Sequence, residues 1–251
     1  MNKIQARPLS FGIPIYEGFD SLDVAGPYQV FGFLNNEKQP VMVKLIGPKK
    51  DQSVTSTDGI RWLPDYGYDD APEHFDVLFV PGGVGGGYNA LLQKNLNDPF
   101  FNFIISRAAT VQLLTAVCTG SILLAKTKLL DGYTCTTHWA FKNSLSLFPN
   151  VIMAPGFPRY VIDRNRVTGG GISSGIDEAF AIAEILRGPE AAKLVQLKMQ
   201  YAPNPPYQSG DPSVASATAV YKASTEFSPV TNSVYNILRQ ELYPDSKSRK
   251  G

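Results

Sequence analysis

Short apolar runs alternate along the chain with segments of helical periodicity, and turn residues separate them. Strands are predicted over 9–15, 41–46, 76–80, 111–117 and 133–137. Helices are predicted over 21–34, 99–108, 120–130 and 140–147, followed by a hairpin that turns at Asn165 and by helices over 174–187 and 189–199. This alternation predicts an α/β fold in which helices cover both faces of a mostly parallel sheet.

The chain changes character after Tyr201, where the segment APNPPYQSGDPSVAS is rich in proline, serine and glycine. This composition predicts an ordered arm or a linker instead of a second domain. A final helix is predicted over 229–241, with Ser228 as its N-cap and Pro229 at the first helical position. The end, SKSRKG, is expected to be a solvated tail. Residues 1–251 are therefore interpreted as a single domain with an arm and a C-terminal helix from about residue 201.

Composition and charge narrow the classes of function. Hydrophobic residues make up 43% of the chain and charged residues 18%, which is typical of a globular protein. A formal net charge of +1 provides no basic surface for nucleic acid. No apolar run has the length needed to cross a bilayer, and the start of the chain lacks the apolar segment of a signal peptide. We therefore expect a cytoplasmic protein that acts on a small molecule, with no nucleic-acid or membrane partner.

The few cysteines and histidines limit disulfide and metal chemistry. Cys118 and Cys135 cannot form a disulfide framework, and neither belongs to a CxxC pair. His74 and His138 are too few for an obvious zinc site, so we expect neither a metal nor an organic cofactor. Cys135 lies between two threonines in a predicted strand and is interpreted as a small buried residue.

Cys118 differs because it lies in TAVCTGSILLA, where a buried strand turns directly into a helix. Such a turn holds a side chain above the carboxyl end of a parallel sheet, where open α/β folds bind ligands. The positive end of the helix dipole and the free N–H groups there favour the thiolate, so Cys118 is predicted to be a nucleophile. The N–H of Thr119 belongs to the turn, and its hydroxyl is expected to bond the sulfur or to position water.

Two other motifs suggest competing functions. The segment GISSG, 171–175, matches GxSxG, but both histidines precede Ser173, so the order serine, acid, histidine of a hydrolase triad is impossible. We interpret TGGGISSG as a close-packed loop, in which Gly170 and Ile172 line the cysteine pocket. The segment PGGVGGG lacks the lysine of a P-loop and does not match GxGxxG, so nucleotide binding is not expected.

Six motifs resemble, in the same order, those of the ThiJ/PfpI superfamily and, within it, those of the isonitrile hydratases. They are LDVAGPYQVF, VPGGVGGG, VCTGSILLA, TTHWA, VTGGGISSGID and YAPNPPYQSGDP, and they extend from about Phe11 to about Pro212. The resemblance implies a fold related to class I glutamine amidotransferases. That fold is a flavodoxin-like three-layer α/β/α sandwich with a nucleophile elbow. The resemblance also implies a homodimer.

The resemblance implies roles for further residues. Asp23 would face the cysteine and exchange a proton with substrate, and Gly82 and Gly83 would border the site and stabilise developing negative charge. His138 would lie near the cysteine, either lining the pocket or filling a structural position. Members that act as glyoxalases or resemble peptidases often have histidine after the cysteine. Thr119 occupies that position here, which weakens both of those interpretations.

The implied reaction is the hydration of an isonitrile to an N-substituted formamide by a hydro-lyase with a cysteine nucleophile. A second hypothesis is a glutathione-independent glyoxalase that detoxifies reactive carbonyls through the same cysteine. A third is a non-catalytic sensor of oxidative stress, in which Cys118 is oxidised. Regulation of DNA is set aside because no basic helix-turn-helix segment follows the domain.

Overall fold

The computed structural model describes residues 7–36 and 38–244. Its strands are β1 (Leu9–Pro14), β2 (Val41–Gly47), β3 (Val54–Thr55), β4 (Arg61–Trp62), β5 (Tyr66–Gly67), β6 (Val77–Val80), β7 (Leu113–Ala116), β8 (Thr134–Cys135), β9 (Ile152–Met153), β10 (Tyr160–Asp163) and β11 (Arg166–Gly169). Its helices are α1 (Ser21–Phe33), α2 (Gly85–Leu92), α3 (Pro99–Ala108), α4 (Gly120–Lys126), α5 (Lys142–Leu145), α6 (Ser174–Arg187), α7 (Pro189–Lys198) and α8 (Ala217–Leu242). The expected tail, SKSRKG, lies outside the described residues.

A seven-stranded sheet forms the centre of the molecule, in the order β10-β11-β7-β6-β1-β2-β5. Every neighbouring pair is parallel except β10 and β11, which form the predicted hairpin. Strands β6 and β7 are buried at every position, as strands covered by helices on both faces must be. Helices α1, α6 and α7 form one group, while α8 contacts α2 and α5 in another. The predicted α/β sandwich with a mostly parallel sheet is therefore confirmed.

Two predicted elements between the core strands differ from the structure. The strand expected over 133–137 is reduced to β8, which pairs with β9 in a separate two-stranded sheet. It ends there because the Thr136 N–H donates to the side chain of Thr168, 2.9 Å away, instead of continuing a backbone ladder. The helix expected over 140–147 is reduced to α5, while Gly85–Gly87 form the first turn of α2.

The last helix begins at Ala217, twelve positions before the predicted start at Pro229. Proline has no N–H and therefore leaves the carbonyl one turn earlier without its helical donor. In α8 the Ser228 hydroxyl donates to that carbonyl, on Thr225, at 2.8 Å. The helix can thus continue through Pro229, and Ser216 is the actual N-cap, accepting the Ala219 N–H at 3.2 Å. The prediction of Ser228 as a cap was wrong because the same hydroxyl serves inside the helix.

The C-terminal half of α8 is the part that anchors it to the body. Val234 and Leu238 are buried there, and Glu241 forms an ion pair with Lys126 of α4. The Asn89 side chain of α2 also donates to the Ser233 hydroxyl at 3.0 Å. Nowhere in the described ranges does a helix combine the length and hydrophobicity that crossing a membrane requires.

Candidate active site

Cys118 lies between β7 and α4 with a backbone φ of 56°, in the left-handed region. For a residue other than glycine this conformation is uncommon and costs about 1–3 kcal/mol. Four hydrogen bonds hold the residue in it. Its N–H donates to the carbonyls of Gly169, at 3.2 Å, and Gly170, at 2.9 Å. Its carbonyl accepts from the hydroxyls of Ser121, at 3.0 Å, and Thr137, at 2.9 Å.

Two glycines allow neighbouring backbone to approach this turn. A Cβ on Gly120 would collide with the carbonyl of Val80, at the end of β6. A Cβ on Gly82 would lie 2.6 Å from the backbone nitrogen of Thr119 and 2.9 Å from the Cβ of Cys118. The glycine-rich loop after β6 therefore touches the cysteine turn directly, and this contact requires glycine at both positions.

Asp23 lies in the first turn of α1 and is completely buried. One carboxyl oxygen accepts the Gly82 N–H at 2.8 Å, and the other has no hydrogen-bond partner among the described residues. Burial raises the pKa of Asp23 well above its usual value, and the nearby charge of Asp20 raises it further. Both effects favour the protonated form of Asp23. Asp20 takes the helix-capping position instead, accepting the Leu22 N–H at 3.1 Å.

The expected low pKa of the Cys118 thiol is corrected by the structure. The side chain is only 5% exposed, and burial raises the pKa of Cys118 well above its usual value. The negative charge of Asp23 raises it further, whereas the Thr119 N–H lowers it. The helix start thus provides one donor, and desolvation outweighs it. Because the charge of Asp23 acts on the Cys118 thiol, the two groups titrate as a coupled pair.

The glycine loop also differs from the expectation that its amides would be free for a ligand. The Gly82 N–H donates to Asp23, and the Gly83 N–H donates to the Thr119 hydroxyl at 2.8 Å. That hydroxyl in turn donates its single proton to the Gly83 carbonyl at 2.7 Å. The Thr119 hydroxyl also lies close enough to the Cys118 sulfur to lower the pKa of the thiol. In this arrangement the loop positions the acid and the turn, and its two amides are already satisfied.

A cavity of about 360 Å³ opens beside the cysteine turn. Its wall is formed by Leu22, Thr137, His138, Trp139, Phe157, Pro158, Arg159, Gly170, Gly171, Ile172, Ser173, Gly210, Asp211 and Pro212. Thr137 and Gly170 are also hydrogen-bonded to the backbone of Cys118, so the cysteine lies directly behind this wall. The volume is within the range of small-molecule sites. The sequence-predicted positions Gly170, Ile172 and His138 all lie in the lining.

His138 is largely buried and is surrounded by aromatic side chains. Its ring lies 5.4 Å from that of Phe227 and 5.7 Å from that of Phe141, between centroids. Burial lowers the pKa of His138 to about 4, so the imidazole is neutral at neutral pH. The Ala140 N–H lies 3.2 Å from its Nδ1, which assigns that nitrogen as acceptor and leaves Nε2 to carry the hydrogen. His138 can therefore donate one hydrogen bond towards the cavity.

The serine of the GISSG segment has a structural partner. Arg159 donates to the Ser173 hydroxyl at 2.9 Å and forms an ion pair with Asp177 at 2.6 Å. No histidine contributes to this group, which agrees with the exclusion of a serine esterase. The adjacent Ser174 hydroxyl donates to the Gly171 carbonyl at 2.6 Å and fixes the loop that borders the cavity.

Two buried groups beside the site were not found from the sequence. The Tyr16 hydroxyl donates to the Pro81 carbonyl at 3.0 Å, immediately before Gly82. Glu178 of α6 is completely buried, and neither carboxyl oxygen has a partner among the described residues. A signal was present for Glu178, because it lies at helical spacing from Gly175 and Ile182 on the apolar face of its helix. An ionisable residue on the apolar face of a helix indicates a buried acid whose pKa is shifted by its surroundings.

Within 7–36 and 38–244, no group of three or more His, Cys, Asp or Glu side chains is arranged to hold a metal ion. A buried thiol, an acid whose protonated form is favoured and a cavity beside them can add a nucleophile and a proton to one small molecule.

The sheet order and the strained cysteine turn define a class of α/β sandwich proteins with a cysteine at the carboxyl edge of the sheet. The sequence profile of the DJ-1/PfpI family matches residues 11–185. The chain belongs to this family, and the resemblance noted in its motifs is confirmed.

Relatives with curated names include both an enzyme and a regulator. Isonitrile hydratase from Pseudomonas putida is 38% identical over 221 residues, which cover 88% of this chain and 91% of the hydratase. The HTH-type transcriptional regulator GbdR from Pseudomonas aeruginosa is 31% identical over 173 residues, which cover 68% of this chain but only 45% of the regulator.

Solved structures agree with this assignment. A ThiJ/PfpI family protein from Pseudomonas syringae matches with a TM-score of 0.83 and 28% identity, covering 95% of this chain and 94% of that one. Drosophila melanogaster DJ-1beta matches with a TM-score of 0.65 and 21% identity, covering 78% of this chain and all of that one. The second likeness concerns the fold alone.

Proposed function

We propose that the protein is a cysteine-dependent isonitrile hydratase-like lyase, which adds water to R–N≡C and yields an N-substituted formamide. The observation that carries this proposal is the placement of the Cys118 thiol and the buried acid Asp23 against the same residue, Gly82, behind the wall of a cavity. An isonitrile carbon requires a nucleophile and a proton at the same atom, and this pair supplies both. The 38% identity to an isonitrile hydratase along nearly the whole of both chains supports the same reaction.

The first step forms the carbon–sulfur bond. In the form of the pair that has lost one proton to solvent, the Cys118 thiolate attacks the isonitrile carbon while neutral Asp23 delivers its proton to that carbon, which leaves a covalent thioimidate, R–N=CH–S–Cys118. The negative charge passes from the sulfur to the Asp23 carboxylate, where the Gly82 N–H stabilises it. A high resting pKa suits Asp23 to this role, because it must still be protonated when the thiolate attacks.

The second step restores the enzyme. Water adds across the C=N bond, its oxygen to carbon and a proton to nitrogen, giving a tetrahedral intermediate. The carbon–sulfur bond then breaks as the C=O bond forms, and the hydroxyl proton passes to the Asp23 carboxylate. The products are R–NH–CHO, the Cys118 thiolate and neutral Asp23, so the proton donor is regenerated in each cycle. We propose that the Nε2–H of His138 orients substrate or water from the cavity wall.

The character of the cavity supports a small, neutral and largely apolar substrate. Aromatic and aliphatic side chains, among them Leu22, Trp139, Phe157 and Ile172, make up much of the wall. Arg159 is the one cation in the described lining, and its charge is compensated by Asp177. The one anion of the described lining, Asp211, accepts hydrogen bonds from Ser213, so neither charge in the wall requires an ionic substrate.

The test is formamide formation from a simple aryl isonitrile by the wild type, Cys118→Ala and Cys135→Ala. Cys135 is the matched control because it is also buried but lies in β8, in a sheet separate from the central one. We expect turnover to fall at least about a thousandfold in Cys118→Ala, because the nucleophile is lost. Cys135→Ala should retain the wild-type rate.

The outcomes distinguish the remaining hypotheses. No formamide from well-folded wild type, together with lactate from methylglyoxal, would replace the hydratase with the carbonyl-detoxifying enzyme. Rapid oxidation of Cys118 by mild peroxide without any turnover would favour the sensor.

We also propose that the protein is a homodimer. Large apolar side chains are exposed on α7 at Leu194 and Leu197 and in the arm at Tyr207 and Val214, which supports burial against a second copy. Sedimentation equilibrium tests this, and a monomer at micromolar concentration would contradict it. The cytoplasmic location, a role in the stress response and the absence of a cofactor or a nucleic-acid partner stay predictions.

A further inference from the structure

Glu178 is a third buried acid close to the cysteine turn. Its Oε2 lies so close to Gly169 that a Cβ on that glycine would collide with it. The same Cβ would also meet Val117, at 3.0 Å, and the Ser174 hydroxyl, at 3.2 Å. The carboxyl group therefore lies against the end of β11, where the Gly169 carbonyl accepts the N–H of Cys118. Glycine at 169 is what makes room for it.

The acid has no partner that would compensate a charge. Both oxygens are fully buried and unpaired, and no Lys or Arg of the described chain forms an ion pair with Glu178 or Asp23. Burial raises the pKa of Glu178 well above its usual value, and the charge of Asp23 raises it further. Glu178 and Asp23 therefore act on each other, and each makes a second negative charge unfavourable.

The other charged groups around α6 are directed elsewhere. On the helix itself, Asp177 pairs with Arg159, which lies just before β10. On α7, Glu190 and Lys193 pair with each other at the surface. At the start of β11, Arg166 donates to the Leu129 carbonyl at 2.9 Å, at the opposite end of the strand from Gly169.

From α1 the charge of Asp23 raises the pKa of Glu178, whereas the Ala116 N–H lowers it. The turn after β7 holds Cys118, whose N–H donates to the carbonyl of the glycine that Glu178 lies against. The other titratable groups coupled to Cys118 are Asp20, Tyr16 and Tyr88, and none of them is a cation.

We propose that Glu178 is the third member of the proton-sharing cluster: it competes with Cys118 and Asp23 for the single negative charge that this enclosed site can hold. It thereby determines the pH at which Cys118 becomes a thiolate. Glu178 is a positioning residue, since it acts through the other two and does not line the cavity. Its importance for hydration rests on the proposed function, whereas its effect on the reactivity of Cys118 does not.

The test is the pH dependence of Cys118 alkylation by iodoacetamide, in which the thiolate displaces iodide from carbon. A Cys135→Ala background restricts the reaction to one cysteine. Glu178→Gln has nearly the same shape but cannot become negative, so the thiolate should form more readily. We expect the midpoint of alkylation to move down by about one pH unit. Glu184→Gln is the matched control, because Glu184 is an exposed acid on the same helix, and its midpoint should equal that of the wild type.

Glu178→Met is the second variant, in case the glutamine amide disturbs the buried site. It is neutral and of similar length, and it should shift the midpoint in the same direction. Unchanged midpoints in both variants, or midpoints moved to higher pH, would overturn the proposal. A residue that only fills space in the interior would leave the midpoint of Cys118 alkylation unchanged. The acid limb of the isonitrile pH–rate profile should shift with the alkylation midpoint.

The two proposals can fail separately. If the protein hydrates no isonitrile but the alkylation midpoint still moves down in Glu178→Gln, the hydratase proposal fails and the shared cluster stands. If isonitriles are hydrated but neither neutral variant moves the midpoint, the reaction stands and the role of Glu178 is refuted.

Discussion

Asp76 and Asp23 are both almost fully buried aspartates at the sheet, and their surroundings are opposite. Asp76 lies just before β6 and accepts five hydrogen bonds, two from Arg7, two from Ser10 and one from Gln112. Asp23 accepts one, from Gly82. Burial alone would raise the pKa of Asp76, but the bonds from Arg7 and Ser10 outweigh it and hold the pKa well below its usual range.

This difference separates a structural acid from a reactive one. At Asp76 the charge is compensated, so the carboxylate fastens the start of the chain to the neighbouring strands. At Asp23 one oxygen is unpaired among the described residues and burial favours the protonated form, which weakens the fold but makes a proton available for transfer. Burial is the same in both cases, and the number of donors decides what the carboxyl group does.

The largest effect is expected from Asp23→Asn. An amide keeps the shape but has no proton to transfer to the isonitrile carbon, so turnover should fall by about 10²–10⁴-fold. The free energy of unfolding at pH 7 should not decrease, because the amide removes no charge-compensating bond. Formamide formation and urea denaturation measure the two quantities. A fully active variant would remove Asp23 from the mechanism.

Asp76→Asn should show the reverse pattern. The loss of the carboxylate leaves the buried donors of Ser10 and the guanidinium of Arg7 poorly satisfied, which lowers the free energy of unfolding by about 3 kcal/mol. Turnover per folded molecule should be unchanged, since Asp76 precedes β6 and the glycine loop follows it. A stable variant with impaired turnover would contradict the division between the two aspartates.

A smaller effect is expected from Glu178→Met, which extends the comparison to the third buried acid. Removing an unpaired polar group from the interior should raise the free energy of unfolding at pH 8 by about 1 kcal/mol. Below pH 4 this gain in stability should be smaller. Glu178 is then protonated in the unfolded chain as well, so its ionisation no longer stabilises the unfolded state. Urea denaturation at both pH values is the measurement, and Glu184→Gln serves as the exposed control. Destabilisation by methionine at pH 8 would show that Glu178 has a partner.

The most gradual effect is the pH dependence of stability, which changes by at most about 1.4 kcal/mol per pH unit for one group. The pKa of Asp76 is lowered on folding, so its contribution to stability is present above about pH 4 and is lost as the pH falls further. The pKa of Asp23 is raised on folding, so its contribution is present below about pH 4 and is lost as the pH rises. The difference in the free energy of unfolding between Asp76→Asn and the wild type should therefore change below about pH 4. For Asp23→Asn it should change above about pH 4. Equal slopes on the same side would refute the assignment.

The elements that sequence patterns predicted best are those in which burial alone decides the structure. Strands β6 and β7 are continuous apolar runs, and the abrupt change at Cys118 from a strand to a helical pattern marked the turn. Strand β8 and helix α8 were predicted with wrong bounds, because their ends depend on the side-chain bonds of Thr168 and Ser228. Such bonds are decided by tertiary neighbours, which periodicity does not reveal.

The candidate site shows the same limit. The position of Cys118 and its proximity to the glycine loop followed from motifs, and Asp23 followed only from the family resemblance. The electrostatics did not follow, because a helix start predicts a lowered pKa for the thiol and burial reverses the direction. The engagement of the Gly82 and Gly83 amides with Asp23 and Thr119 was equally invisible in the sequence, since it depends on which acceptors the fold brings near.

The far rim of the cavity comes from a part of the chain beyond the family match at 11–185. Gly210, Asp211 and Pro212 of the arm lie in the cavity wall, and Phe227 of α8 contacts the ring of His138. The reacting groups and the entrance that admits a molecule to them are thus encoded in separate segments. Mutations in the arm can change which molecules are accepted while Cys118 and Asp23 stay untouched, so selectivity can diverge between relatives with a common chemistry.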